Sequence, residues 1–226
     1  MTQLKHAPQL HPKQDFQVER IAFFSDAVYA IAITLLVIEF RPPHMEKDST
    51  VEEIWHQLVE MRYLFFAIVF SFFLIITYWM RHHSLFKHIH NYNKQIVIAN
   101  MVSLFPIIFF PFTTSFFYES NHAGIGASIV AFRLFLINNI LAGLSTYVFY
   151  WLVIKKYKQL SYEMDKDEMT QFEVRLGVMA ISFLLVLVIS FFSFKASIWG
   201  ILPLAGYNLY QKYSKRKNKT TESHAK

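Results

Sequence analysis

The sequence predicts an all-α polytopic membrane protein with six transmembrane helices and both termini cytoplasmic. Three observations carry this. Apolar residues make up 54% of the 226 without counting glycine, and charged residues only 17%, against ~45–50% and ~25% in soluble domains. The charges are bunched at the ends and in a few short stretches, with long uncharged runs between them. Lysine and arginine are also asymmetric along the chain: 17 of 22 fall in segments 1–20, 81–95, 155–175 and 211–226, four fall in 41–62 and at Lys195, and Arg133 is the last. Basic loops mark the cytoplasmic side.

A bilayer core of ~30 Å needs ~20 apolar helical residues. Residues 1–20 form a cytoplasmic tail. With Lys5, His6, His11, Lys13, Asp15 and Glu19 they hold no apolar core of a signal peptide. The first span is Ile21–Phe40, with Asp26 near its start and Glu39 at its end. Uncharged runs Tyr63–Met80, Ile96–Tyr118, Leu134–Ile154 and Leu176–Phe194 give the next four. Ala196–Gln211 is shorter, and Lys195 can snorkel at its start. The organisation is a tail (1–20), a six-span domain (21–211) and a basic cytoplasmic tail (212–226) containing the polybasic run Lys212–Lys219.

Between the first two spans lies the acidic segment Glu46–Glu60. Ser49 and Glu52 have capping-box spacing, and Val51, Ile54, Trp55 and Leu58 fall at i, i+3, i+4, i+7. The segment reads as a short amphipathic helix on the outer surface. Pro106 and Pro111 predict a kinked or unwound outer half of the third span, and Pro203 a milder disturbance of the sixth.

Much is excluded. There is no cysteine, so disulfides, thiolate ligands and thiol nucleophiles are absent. No G-x-S-x-G, H-E-x-x-H or P-loop occurs, and enzyme readings lack a motif. No T-V-G-Y-G filter occurs either. His82, His83, His88 and His90 have no second partner set at ligand spacing, so no metal site is assigned. The net charge of +6 is accounted for by inner loops beside anionic lipid and calls for no nucleic acid.

Polar groups inside a span are costly and therefore informative. Asp26 needs donors, and Arg20 is nearly two turns away. Trp79, His82 and His83 at the end of the second span, and Asn100 early in the third, share its depth. A buried cytoplasmic-side cluster follows, with helix positioning as its plain role and proton relay or catalysis as alternatives. Further along, Ile31, Thr34, Leu35 and Ile38 form one helical stripe, and Ala27, Ala30 and Ala32 suit close helix approach. The first helix is therefore expected to be central. Asn138 and Asn139 are expected to hydrogen-bond across helices or line a cavity.

Arg20-x-x-x-Phe24-Ser25-Asp26 resembles the R-x-x-x-F-S-D signature of the endosomal and lysosomal potassium channels and their bacterial homologues. Trp79-x-x-His82-His83, Asn100-x-x-x-Leu104-Phe105 and Pro111-Phe112-Thr113 are similar to that family's second and third helices. The resemblance implies a potassium-permeable, leak-like cation channel, potassium its permeant ion, with no cofactor. It implies a homotetramer in the cell membrane whose pore is lined by the first helix of each copy. Ile31, Leu35 and Ile38 would form the apolar constriction and Thr34 would bear on selectivity, while the motif residues hold the helix in place. The alternatives are a proton-coupled carrier using Asp26 and a histidine, and a non-conducting structural protein.

Overall fold

The computed structural model describes residues 12–42, 47–120, 123–211 and 213, with side chains from Phe16 onward. Residues 1–11 of the N-terminal tail, and the basic tail 212–226 apart from Tyr213, lie outside the described residues. The chain runs α1 (Pro12–Ile38), α2 (Val51–Glu60), α3 (Arg62–Phe86), α4 (Lys94–Ser120), α5 (Ile125–Tyr150) and α6 (Lys166–Phe192). A 3-10 segment, Lys195–Ile201, then leads into a last helix, α7 (202–211). No strand occurs among the described residues. Five helical segments are long and apolar enough to cross a membrane.

Within one chain α4 is the most buried span. More than half of α4's most apolar window is buried, against 22% for α1. α4 packs on α1, α3 and α5, while α6 packs on α5. One buried cluster joins Tyr29, Ala32 and Leu36 of α1 to Ile75 and Tyr78 of α3, Ile107 and Phe110 of α4, Leu136 of α5 and Phe183 of α6. A second, nearer the start of α1, joins Val18, Leu85, Ile96, Phe149, Val153 and Leu176. Each small-residue position at such a seam lets backbones approach without leaving a void.

Three sequence expectations change here. First, Pro106 and Pro111 do not unwind α4, which is helical from Lys94 to Ser120. In lipid an opened turn has no water to solvate its backbone, so keeping the remaining ladder outweighs two missing donors. Side chains add bonds along this stretch: Asn138 Nδ2 of α5 donates to the Pro106 carbonyl at 3.0 Å, and within α4 Thr114 Oγ1 donates to the Phe110 carbonyl at 2.7 Å. Second, the α2 capping box is one residue later than expected. Glu53 N donates to Thr50 Oγ1 (3.3 Å) and Thr50 N to Glu53 Oε2 (2.8 Å). The helix begins at Val51, which makes Thr50 the cap and Glu53 the third residue. The apolar stripe of α2 stays uncovered; Val51 and Trp55 are among the most exposed side chains.

Third, the sixth segment is not one even helix. Gly200 lies so close to α6 that a Cβ there would sit 2.5 Å from the Val186 nitrogen. That approach is made through a 3-10 segment, which brings Gly200 and Ser197 inward. Pro203 then falls in the first turn of α7, where a missing N–H costs little.

The helix ends around this second cluster are clipped together. α5 ends in a π-turn, Trp151–Lys156. Beyond it Tyr162 N donates to the His88 carbonyl at 2.6 Å, and His90 N to the Leu160 carbonyl at 3.2 Å. Lys155 Nζ and Tyr150 Oη both meet Glu173 Oε1, at 3.0 and 2.8 Å. The α3–α4 and α5–α6 connections therefore share one cap.

Candidate functional site: the two faces of the first helix

Helical periodicity gives α1 two unlike faces. Val18, Ser25, Tyr29, Ala32 and Leu36 recur at helical spacing and are all buried. They press on α3 and α4. Within this face a polar cluster forms around Ser25. His82 Nε2 and Asn100 Oδ1 are 2.7 Å apart, so with the amide oxygen toward the ring the Nε2 proton is donated. Asn100 Nδ2 donates to Ser25 Oγ at 2.9 Å, and Ser25 Oγ donates to the Ile21 carbonyl at 2.9 Å. Ser25, His82 and Asn100 have essentially no exposed surface. One connected network thus ties α1, α3 and α4 at one depth. Buried polar groups specify an arrangement because an unpaired one costs about 1–3 kcal/mol.

Asp26, next along, is half-buried and accepts a bond from Trp79 Nε1 at 2.8 Å. Trp79 in turn stacks on His83, ring centroids 5.4 Å apart. The two histidines are thereby separated. His82 is inside, flanked by Tyr29, Phe86 and Phe149 at 4.8–5.4 Å. His83 is exposed and stacks on Trp79. Arg20 and Phe24 are exposed too, on the side of α1 away from Ser25, and line a small surface hollow with Tyr92 and Met101. The structure brings Ser25, Asp26, Trp79, His82 and Asn100 together and leaves Arg20 and Phe24 outside. His88 pairs with Glu168 at 3.5 Å and His90 packs on the Tyr162 ring. No group of three metal-ligating side chains forms among the described residues.

The opposite face of α1 carries the stripe. Ile31 is 57% exposed, Ile38 66% and Leu35 37%, and Thr34 is exposed as well. Among the described residues no helix of the same chain buries them. Between Arg20 and Glu39 the only charged residue of α1 is Asp26, and it is turned to Trp79. Thr34 Oγ1 donates its proton to the Ile31 carbonyl at 2.8 Å. With its proton engaged, the hydroxyl oxygen offers only lone pairs outward. At the far end Glu39 Oε2 accepts from Ser115 Oγ at 2.8 Å, which pins the top of α1 to α4.

Sequence reasoning missed Tyr29 and Ser115. Tyr29 lies four residues after Ser25, on the same helical face, so face arithmetic alone puts it inside. It is fully buried beside His82, and its hydroxyl has no partner. For Ser115 no sequence signal existed, since its partner is 76 residues away. Of the asparagine pair, Asn138 bonds across to α4. Asn139 Nδ2 bonds within α5, while its backbone carbonyl accepts from Tyr78 Oη at 2.8 Å.

Residues 20–111 match the family described as endosomal/lysosomal potassium channel TMEM175. A potassium channel of Chryseobacterium sp. (strain P1-3) is 33% identical over 129 residues, 54% of this chain and 64% of the relative. A potassium channel of Chamaesiphon minutus is 32% identical over 123 residues, 53% of this chain and 60% of the relative. In both cases less than two thirds of the relative's own length is spanned. The crystal structure of a lysosomal potassium-selective channel TMEM175 homolog from Chamaesiphon minutus shares the fold with a TM-score of 0.68, over 86% of this chain and 97% of that one, at 23% identity. These relatives are named as channels, not enzymes. The helical fold shared with that structure, the relatives and the apolar helices make the chain a multi-pass membrane protein, similar over its first three spans to the TMEM175 family and its bacterial members.

Proposed function

We propose that the chain is a potassium-permeable, leak-like cation channel of the cell membrane, assembled as a homotetramer with α1 of each copy facing a common axis. One observation carries the reading. α1 is fastened to its own chain along one face by the Ser25–Asn100–His82 network and by Tyr29, Ala32 and Leu36, while the opposite face, uncharged from Ile31 to Ile38, is left uncovered. Four such faces about an axis bring rings of Ile31, Leu35 and Ile38 together. Such rings obstruct flow sterically or by dewetting. Thr34 oxygens, their protons engaged, present lone pairs to a partly dehydrated cation. Selectivity then follows from the lower cost of dehydrating the larger ion, without a T-V-G-Y-G loop.

The sixth span is supplied by residues 195–211. Seven residues rising ~2.0 Å each and ten rising ~1.5 Å give ~29 Å, close to the hydrocarbon thickness of ~30 Å. An even number of spans puts both termini on the basic, cytoplasmic side. The carrier alternative needs Asp26 to exchange protons with a histidine. Asp26 instead bonds Trp79, a donor that does not titrate, and His82 bonds Asn100, which weighs against it.

The test is single-channel recording of purified protein in a planar bilayer under a potassium/sodium gradient. Discrete steps with a reversal potential shifted toward potassium are expected. Flux without steps would transfer the assignment to a carrier, and silence from folded, oligomeric protein would remove conduction.

A further inference from the structure

On the side of the bundle away from α1, the inner ends of α3 and α6 and the length of α7 border a cavity of about 630 Å³. Two arginines line it, Arg81 from α3 and Arg175 from α6. No carboxylate lies within ion-pairing distance of either among the described residues. Arg81 is half-buried, and its nitrogens make only long contacts, 3.6 Å to Met179 Sδ and 3.5 Å to the Arg175 carbonyl. The one acid in the wall, Glu168, faces His88 Nε2 and Ser84 Oγ, each at 3.5 Å. Two like charges, Arg81 half-buried and Arg175 exposed, thus share a cavity whose one acid is turned to His88 and Ser84, an arrangement that an entering anion relieves.

The rest of the wall says which anion. Tyr207 Oη accepts from Gln211 Nε2 at 2.8 Å, leaving its own proton to donate. Met80, Phe172 and Leu204 make another part of the wall apolar. Planar guanidinium groups match phosphate oxygens two at a time. An apolar wall beside a doubly cationic polar one suits a molecule with a phosphate at one end and methylenes beyond it. The cavity also lies at the ends of α3 and α6, helices long and apolar enough to cross a membrane, and headgroups would lie beside such ends.

We propose that this cavity binds the phosphate of an anionic phospholipid, with Arg81 and Arg175 as its ligands and the start of the acyl region along Met80 and Leu204. The shared chemistry, a phosphate ester, also fits a soluble phosphorylated metabolite; the apolar wall favours the lipid. The proposal goes beyond channel function and holds whether or not the chain conducts.

Native mass spectrometry of delipidated protein, titrated with phosphatidylglycerol or phosphatidylcholine, tests it. The expected result is retention of phosphatidylglycerol over phosphatidylcholine. Arg81→Gln and Arg175→Gln should each weaken retention about tenfold, as loss of one charge-assisted bidentate contact does. Arg62→Gln, at the opposite end of α3, should leave it unchanged. Gln171→Glu, an exposed change in the cavity wall, should also weaken retention, and it keeps the test decisive if an arginine variant misfolds. Equal retention of the two lipids, or variants that retain phosphatidylglycerol like the parent, would overturn the site. Glycerol 3-phosphate displacing phosphatidylglycerol at equal concentration would overturn the lipid assignment in favour of a soluble ligand.

Discussion

Replacing Asn100 by leucine keeps the side-chain volume but removes both polar atoms of the network's hub. Ser25 is least affected, because its hydroxyl already donates to the Ile21 carbonyl. His82 is most affected: only 2% exposed, it loses the acceptor of its Nε2 proton, 2.7 Å away. A buried donor left without a partner costs about 1–3 kcal/mol, so Asn100→Leu should destabilise by about 2 kcal/mol. His82→Phe, which keeps the ring stacked against Phe149, should cost about 1 kcal/mol because Asn100 retains Ser25 as a partner. The double variant removes donor and acceptor together. It should therefore be no less stable than Asn100→Leu alone, a coupling of about 1 kcal/mol or more. The assay is denaturant unfolding in mixed micelles followed by tryptophan fluorescence, with oligomeric state checked by light scattering. Strict additivity, with the double variant losing about 3 kcal/mol, would refute the reasoning that the two groups are mutual partners in a dry core.

Three further outcomes are expected. Ile31→Asn should wet the constriction and raise conductance or weaken ion preference without loss of assembly, since Ile31 is uncovered in its own chain; an unchanged current from assembled protein would remove it from the pore. Gly200→Ala drives a methyl to within 2.5 Å of the Val186 nitrogen, and overpacking of this kind costs about 1–3 kcal/mol, read as a lowered midpoint in thermal unfolding; a stability equal to the parent would show that the 3-10 segment yields freely. Trp79→Phe takes the indole donor from Asp26 and should cost about 1–2 kcal/mol, whereas Trp79→Phe with Asp26→Asn together should recover part of the loss; no recovery in the same unfolding measurement would argue against the bond.

The spans were readable because lipid imposes a one-dimensional rule: each crossing segment must be long, apolar and helical. Tyr63–Met80 and Ile96–Tyr118 lie inside α3 and α4, and Leu176–Phe194 overruns the end of α6 by two residues. The donor to Asp26 was also within reach, since depth in the membrane narrowed the choice to a few residues at the end of the second span. Which of them it is was not readable. Trp79, His82 and His83 are neighbours on one helix, and only the rotation of α3 decides that Trp79 meets Asp26 while His82 turns to Asn100. The α2 cap shows the same limit on a smaller scale. Ser49/Glu52 and Thr50/Glu53 have identical spacing, and the choice between them rests on where the helix begins.

The sequence by itself determined the all-α membrane character, the apolar runs and the side of the chain that carries basic charge, because hydrophobic length and charge placement act residue by residue. It also determined that Ile31, Thr34, Leu35 and Ile38 share a stripe. Only the tertiary structure decided which side of α1 is spent inward. Ser25, Tyr29, Ala32 and Leu36 are as regularly spaced as the outward stripe, and helical period alone cannot rank two apolar faces in lipid. The packing of α3 and α4 settles it, because Ser25 must reach Asn100 and a buried polar group accepts few orientations. The continuity of α4 through two prolines and the approach of Gly200 to α6 were decided in the same way. Both depend on neighbours that lie far off in the chain, and a local pattern carries no information about them.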